Sequence, residues 1–174
     1  MNEKFKIVTG GQTGVDRAGL DAARKLGIKH GGWCPKKRKA ENGIIPDCYQ
    51  LKETESEDYN VRTKYNIRDS DGTLIIVPST PISVTDGTIL TISEVKEKKK
   101  PYFIIDLSDK KNWILEVVDW INKNNIKTLN IAGPRESQCP GIYQVAFELL
   151  VNIFKLIEKN ENILNNRNNI RKDI

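Results

Sequence analysis

Cysteine and histidine are scarce in this 174-residue chain. The three cysteines, Cys34, Cys48 and Cys139, are odd in number and form no C-x-x-C pair. That argues against a secreted disulfide framework and for reduced thiols in a cytoplasm. His30 is the single histidine. No Ser–His–Asp or Cys–His nucleophile arrangement can therefore be assembled, and His30 with Cys34 and Cys48 lacks zinc-ligand spacing. No apolar run approaches the ~20 residues of a membrane span. The start, Met1-Asn2-Glu3-Lys4, passes directly into a strand-like run without the apolar core of a signal peptide. Neither G-x-G-x-x-G nor G-x-x-x-x-G-K-[ST] occurs, which removes the dinucleotide fingerprint and the Walker loop. The net charge of +5 suits anionic ligands. Without interleaved aromatics or a recognisable motif, however, a nucleic-acid partner is disfavoured.

What is present is a soluble composition, 38% hydrophobic and 29% charged, and an alternation of apolar strands with helical stretches. Strands are expected at Phe5 to Thr9, Thr73 to Val77, Tyr102 to Asp106 and Thr128 to Ala132. Helices are expected from Val15 to Leu26, from a Thr54/Glu57 capping box to about Asp69, and from Thr88 to Lys98. Two more are expected from Lys110 to Asn122 and from Ile142 to Ile157. Gly31 to Asp47 reads as an irregular excursion. This order predicts one α/β domain over residues 1–160, a mostly parallel sheet with helices on both faces. The polar stretch 161–174 is expected to fray, from about Asn165 onward.

Two glycine-rich segments follow strands and lead towards helices: Gly10-Gly11-Gln12-Thr13-Gly14 and Gly133-Pro134-Arg135-Glu136-Ser137. Glycine lets the backbone approach a ligand, and the amides opening the next helix favour an anion. These two loops and the loop from Pro78 to Gly87, with Ser79, would emerge at the carboxyl ends of parallel strands, where open α/β sheets bind ligands. A phosphate-bearing or oxyanion ligand is the expected occupant. Arg135 suits bidentate phosphate recognition or a salt bridge to Glu136. Arg17 either reaches the ligand or pairs with Asp16, and Asp16 caps the helix or orients loop amides. Tyr59, Arg62 and Asn66 share a helix face, either solvated or the second wall of a pocket. Lys36, Lys37, Arg38 and Lys39 either contact phosphates or are solvated. Lys96 to Lys100 reads as a helix end, and Trp33 and Cys34 as core rather than as an aromatic wall.

The segment Ile7-Val8-Thr9-Gly10-Gly11-Gln12-Thr13-Gly14-Val15-Asp16-Arg17-Ala18 resembles the opening signature of the molybdenum cofactor carrier family. Further matches are Gly31-Gly32-Trp33-Cys34-Pro35 with the basic residues after it, Tyr59 with Arg62-Thr63 and Asn66, and Ser70-Asp71. Gly87-Thr88 and Ala132-Gly133-Pro134-Arg135-Glu136-Ser137 with Pro140-Gly141-Ile142-Tyr143 complete the set. The group is similar to the circularly permuted branch of a Rossmann-like superfamily that includes lysine-decarboxylase-like phosphoribohydrolases. The resemblance implies a Rossmann-like sheet, a homo-oligomer (dimer or tetramer), and a pocket that in some members holds the molybdenum cofactor. The expected function is a carrier, and the residues expected to meet its ligand are Gly10 to Gly14, Arg17, Lys36, Arg38, Arg62, Asn66, Ser79, Gly87, Thr88 and Gly133 to Ser137.

Asp86-Gly87-Thr88 stands where the family has Gly-Gly-Thr. A carboxylate there would repel a phosphate unless it turns away, binds a cation or meets a sugar hydroxyl. The alternative reading is an enzyme that cleaves the base from nucleoside monophosphates. Those relatives carry P-G-G-x-G-T-x-x-E, and Thr91 falls where their glutamate stands, with Glu94 one turn further on.

Overall fold

The computed structural model describes residues 5–82 and 87–170, the last ten as backbone only. Five strands form the central sheet: β1 (Lys6–Val8), β2 (Lys29–Gly31), β7 (Gly72–Val77), β8 (Tyr102–Asp106) and β9 (Thr128–Ala132). Their spatial order is β2-β1-β9-β7-β8, and every pairing is parallel. Between β2 and β7 lie four two-residue strands: β3 (Trp33–Cys34), β4 (Lys39–Ala40), β5 (Gly43–Ile44) and β6 (Lys52–Glu53). Here β3 pairs parallel with β6, and β4–β5 form a hairpin.

The helices are α1 (Val15–Lys25), α2 (Tyr59–Arg68), α3 (Gly87–Glu97), α4 (Trp113–Lys123) and α5 (Ile142–Ile170). Right-handed crossovers assign them to faces. The steps β1→β2 and β8→β9 move one way across the sheet and carry α1 and α4. The steps β2→β7 and β7→β8 move the other way and carry α2 and α3. Accordingly α1 and α4 both pack on α5, while α2 packs on α3. The fold is α/β and Rossmann-like.

All six residues of β7 are buried, as a central strand covered on both faces requires. Their side chains divide between two environments. Leu74 and Ile76, with Ile7, Leu129 and Ile131, join the core under α1, α4 and α5. Thr73 and Asn130 are register partners in adjacent strands, and the Asn130 amide donates to the Thr73 hydroxyl at 3.3 Å. By strand alternation they face the α2/α3 side. Alanines at 18, 22 and 23 let α1 sit close to its neighbours.

Several boundaries differ from expectation. The excursion from Gly31 to Asp47 holds three short strands, with a fourth, β6, beyond it, and β2 runs into its start as a sheet edge. Two- and three-residue strands carry too little periodicity to be read from sequence. The capping box at Thr54 does not form, because the Thr54 hydroxyl donates to Ser56 O. Asp58 caps α2 instead, accepting from Asn60 N–H at 2.9 Å. Helix α4 begins at Trp113 rather than Lys110, and α5 is helical to Ile170. Asp86 lies outside the described residues.

Candidate functional site

Because the five strands are parallel, the loops after β1, β7 and β9 leave the same rim of the sheet. The β1–α1 and β9–α5 loops touch there: Val15 N–H donates to Pro134 O at 3.2 Å. Gly14 makes this approach with a φ of +75°, and a Cβ there would stand 2.3 Å from Pro134 O. A side chain would therefore be strained twice over.

Beside this junction opens a cleft of about 580 Å³. Its floor is Asn130, Ile131 and Ala132 of β9, continuing into Gly133. One wall is the start of α2, with Asp58, Tyr59, Asn60, Arg62, Thr63 and Asn66. The other is α3 from Gly87 to Ser93, including Ile89, Leu90 and Thr91. Gln12, Asp16 and Arg135 close the loop side. Two helix N-termini therefore border the cleft, and their partial positive charge favours an anion.

Arg62 is the central cation. Its Nη1 donates to Asp16 Oδ2 at 2.7 Å, with the two side chains 14% and 4% exposed. Asp16 also accepts from Gln12 N–H at 3.4 Å, so one carboxylate ties the α2 arginine to the first loop. Gly10 makes room for this arrangement, since a Cβ there would lie 1.8 Å from Arg62 Nη1. Arg62 Nε is buried without a hydrogen-bond partner. A buried donor in that condition costs about 1–3 kcal/mol.

The rim beside Arg135 has a different occupant. Glu41, in the β4–β5 turn, accepts from the Thr13 hydroxyl, from the Ser137 hydroxyl, and from Ser137 N–H at 3.2 Å. Arg135 Nε stands 3.9 Å from the same carboxylate, and its guanidinium carbon lies 5.8 Å from the Tyr59 ring centroid. Burial raises the Glu41 pKa, but the Ser137 and Thr13 hydrogen bonds outweigh it and leave the net shift downward.

Of the residues singled out from sequence, Gln12, Asp16, Tyr59, Arg62, Asn66, Gly87, Thr91, Gly133 and Arg135 line the cleft. Asn66 does so with both ends of its carboxamide already bonded, to Trp33 N–H and Trp33 O. Gly10, Gly11, Thr13, Gly14, Pro134 and Ser137 form the loop framework around it. Arg17 is turned back on that framework, donating from Nε and Nη2 to Gly11 O.

Glu136 caps α5, accepting from Tyr143 N–H at 3.1 Å and from Gly141 N–H, so it is not the partner of Arg135. Lys36, Arg38, Ser79 and Thr88 are not part of the lining. Arg38 instead donates to the carbonyls of Ile45, Pro46, Tyr49 and Leu51. Trp33 also lies away from the cleft, donating to Asp69 and packing edge-on against Tyr65 at 5.3 Å.

Asn130 and Glu41 were not singled out from sequence. The first had a signal, a carboxamide inside the apolar run Thr128 to Ala132. The second had none, because its partners lie 28 and 96 residues away.

The profile of the circularly permutated YpsA SLOG family matches residues 7–154. A solved structure named "Putative molybdenum carrier protein", from Syntrophus aciditrophicus SB, is similar at 41% identity and a TM-score of 0.77. The match covers 89% of this chain and 95% of that one. No curated protein matches the sequence.

Proposed function

The chain belongs to the circularly permutated YpsA SLOG family, and from that membership and the cleft we propose that it is a binding and carrier protein. Its cargo is the molybdenum cofactor or a related phosphate-bearing, nucleotide-like molecule. The observation that carries this reading is Arg62, a cation that lines the cleft and is fixed through Nη1 to Asp16. A charged donor held in one orientation selects an anionic acceptor. The similarity to a structure named a molybdenum carrier supports a molybdenum-related cargo.

The residues present fit such a cargo. The volume of about 580 Å³ falls within the roughly 300–1,000 Å³ of small-molecule sites. Arg62 and Arg135 would meet the anionic end, and Asn60 and Asn130 offer mixed donors and acceptors for a heterocycle edge. Tyr59 adds an aromatic face. Reduced Cys34, Cys48 and Cys139 agree with a cytoplasmic setting, which belongs to this reading together with a homo-oligomer.

Nothing in α3 favours the hydrolase alternative. The Thr91 hydroxyl donates to Gly87 O at 2.7 Å, and Glu94 is engaged by Lys98 at 3.2 Å.

Mass spectrometry of small molecules released from gently purified protein tests the cargo directly. A pterin phosphate identifies the molybdenum cofactor as cargo, a plain nucleotide identifies the nucleotide-like alternative, and an empty cleft counts against the carrier reading. Arg62→Lys keeps a cation beside Asp16 but removes the planar fork. It should weaken binding of the released molecule by about 10- to 150-fold, the equivalent of one charge-assisted hydrogen bond. Unchanged affinity in the folded variant would remove Arg62 from the site.

A further inference from the structure

Donors from the two glycine-rich loops converge on a carboxylate of the chain itself. The Thr13 hydroxyl and the Ser137 amide and hydroxyl all donate to Glu41, and Arg135 stands beside it. Hydroxyl, amide and guanidinium donors gathered around one delocalised anion would equally suit a tetrahedral oxyanion. The Glu41 main chain is anchored separately. Its N–H donates to Gln12 Oε1 at 3.0 Å, and neighbouring Ala40 is buried with Leu20, Cys34 and Ile45. A change of Glu41 rotamer would therefore vacate the donors while the hairpin stays in place.

We propose that Thr13, Ser137 and Arg135 form an oxyanion subsite at the edge of the cleft, and that Glu41 is its internal occupant, displaced by the anionic end of an incoming ligand. The inference rests on the ligand-binding reading above and adds to it a residue that sets selectivity. Arg135 joins the two regions, since it borders both the cleft and the Glu41 carboxylate. An occupied subsite lowers apparent affinity by the fraction of time it is closed. Glu41 thus rejects weakly held anions and admits one that gains further contacts in the cleft.

The rival account is that Glu41 is a latch that holds the two loops together. Calorimetric titration of inorganic phosphate and, separately, molybdate into wild type, Glu41→Ala and Glu41→Gln separates the two, with a melting curve for each protein. Displacement predicts that Glu41→Ala binds at least one oxyanion about tenfold tighter or more, with Glu41→Gln between it and wild type. A gain with phosphate alone identifies a phosphoryl group as the natural occupant, and a gain with molybdate alone an oxo-metal group.

A latch predicts no gain with either anion and a lower melting temperature, and that result overturns the proposal. If Glu41→Ala fails to fold, Glu41→Gln decides by the same sign. Adding Ser137→Ala to Glu41→Ala removes one of the donors and should shrink the gain; an undiminished gain places the anion elsewhere and overturns the assignment. Tighter oxyanion binding with no molecule recovered from the cleft would leave the subsite standing and the carrier reading refuted. A cargo sensitive to Arg62→Lys with no gain in either Glu41 variant would do the reverse.

Discussion

Asp69 accepts from Arg68 Nε at 2.7 Å, from Arg68 Nη2 at 2.9 Å and from Trp33 Nε1 at 2.7 Å. The Arg68 hydrogen bond, reinforced by Trp33 against some burial, holds its pKa down at about 2. An unfolded aspartate titrates near ~3.9, so the folded carboxyl releases its proton at lower pH than the unfolded one. A depressed carboxyl pKa contributes stability that is fully present above the unfolded value and is lost as pH falls through the folded one. The Trp33 anchor at the C-terminal end of α2 should therefore weaken between about pH 4 and pH 2. The side chain is 43% exposed, so solvent screens the effect and the contribution is modest. Denaturant unfolding of wild type and Asp69→Asn across that range checks it. The stability gap should narrow as pH falls, and a gap independent of pH would show that the charge has no part in it.

At the scale of elements, the excursion between β2 and α2 depends on cross-links more than on its own short strands. Arg38 supplies four of them to main-chain carbonyls, and its backbone takes a φ of +53° to do so. Arg38→Ala would leave those carbonyls short of a donor, at roughly 1–3 kcal/mol for each that water cannot reach. The expected result is a lower melting temperature with cargo affinity retained in the folded fraction. Specific loss of affinity without loss of stability would return Arg38 to the ligand. This excursion is also where the sequence was least legible. Strand β7 announced itself as a continuous apolar run and α1 by its spacing, because burial on a regular lattice leaves a periodic trace. The basic run from Lys36 to Lys39 leaves no such trace. Whether an arginine meets a ligand or a carbonyl depends on chain folded over it from 7 to 13 residues away. The Arg62 wall was legible as one of two readings, since the spacing of Tyr59, Arg62 and Asn66 gives a shared face but not what it faces.

For the whole molecule, the sheet order β2-β1-β9-β7-β8 makes neighbours of β9 and β7, whose following helices, α5 and α3, lie on opposite faces. The cleft opens at that switch of faces, as expected of a doubly wound sheet. The topology supplies a binding crevice and leaves the chemistry to the side chains around it. Cleavage of an N-glycosidic bond in this crevice would require a general acid or base within reach of the substrate. The described carboxylates near it have other work. Asp16 is paired with Arg62, Asp58 caps α2, and Glu94 is buried and engaged by Lys98 at 3.2 Å with Lys64 at 4.0 Å. Thr91 lines the cleft where the phosphoribohydrolase pattern has glutamate, and its hydroxyl is bonded within its own helix. Purified protein given nucleoside monophosphates should therefore release ribose 5-phosphate no faster than buffer alone. Asp86 is tested alongside, because it follows β7 in sequence and is the carboxylate nearest Gly87-Thr88. Robust turnover abolished by Asp16→Asn, Asp86→Asn or Glu94→Ala would make the protein an enzyme and identify its acid. Binding of a nucleoside monophosphate without turnover, weakened by Arg62→Lys, would keep the site as a carrier of phosphate-bearing cargo.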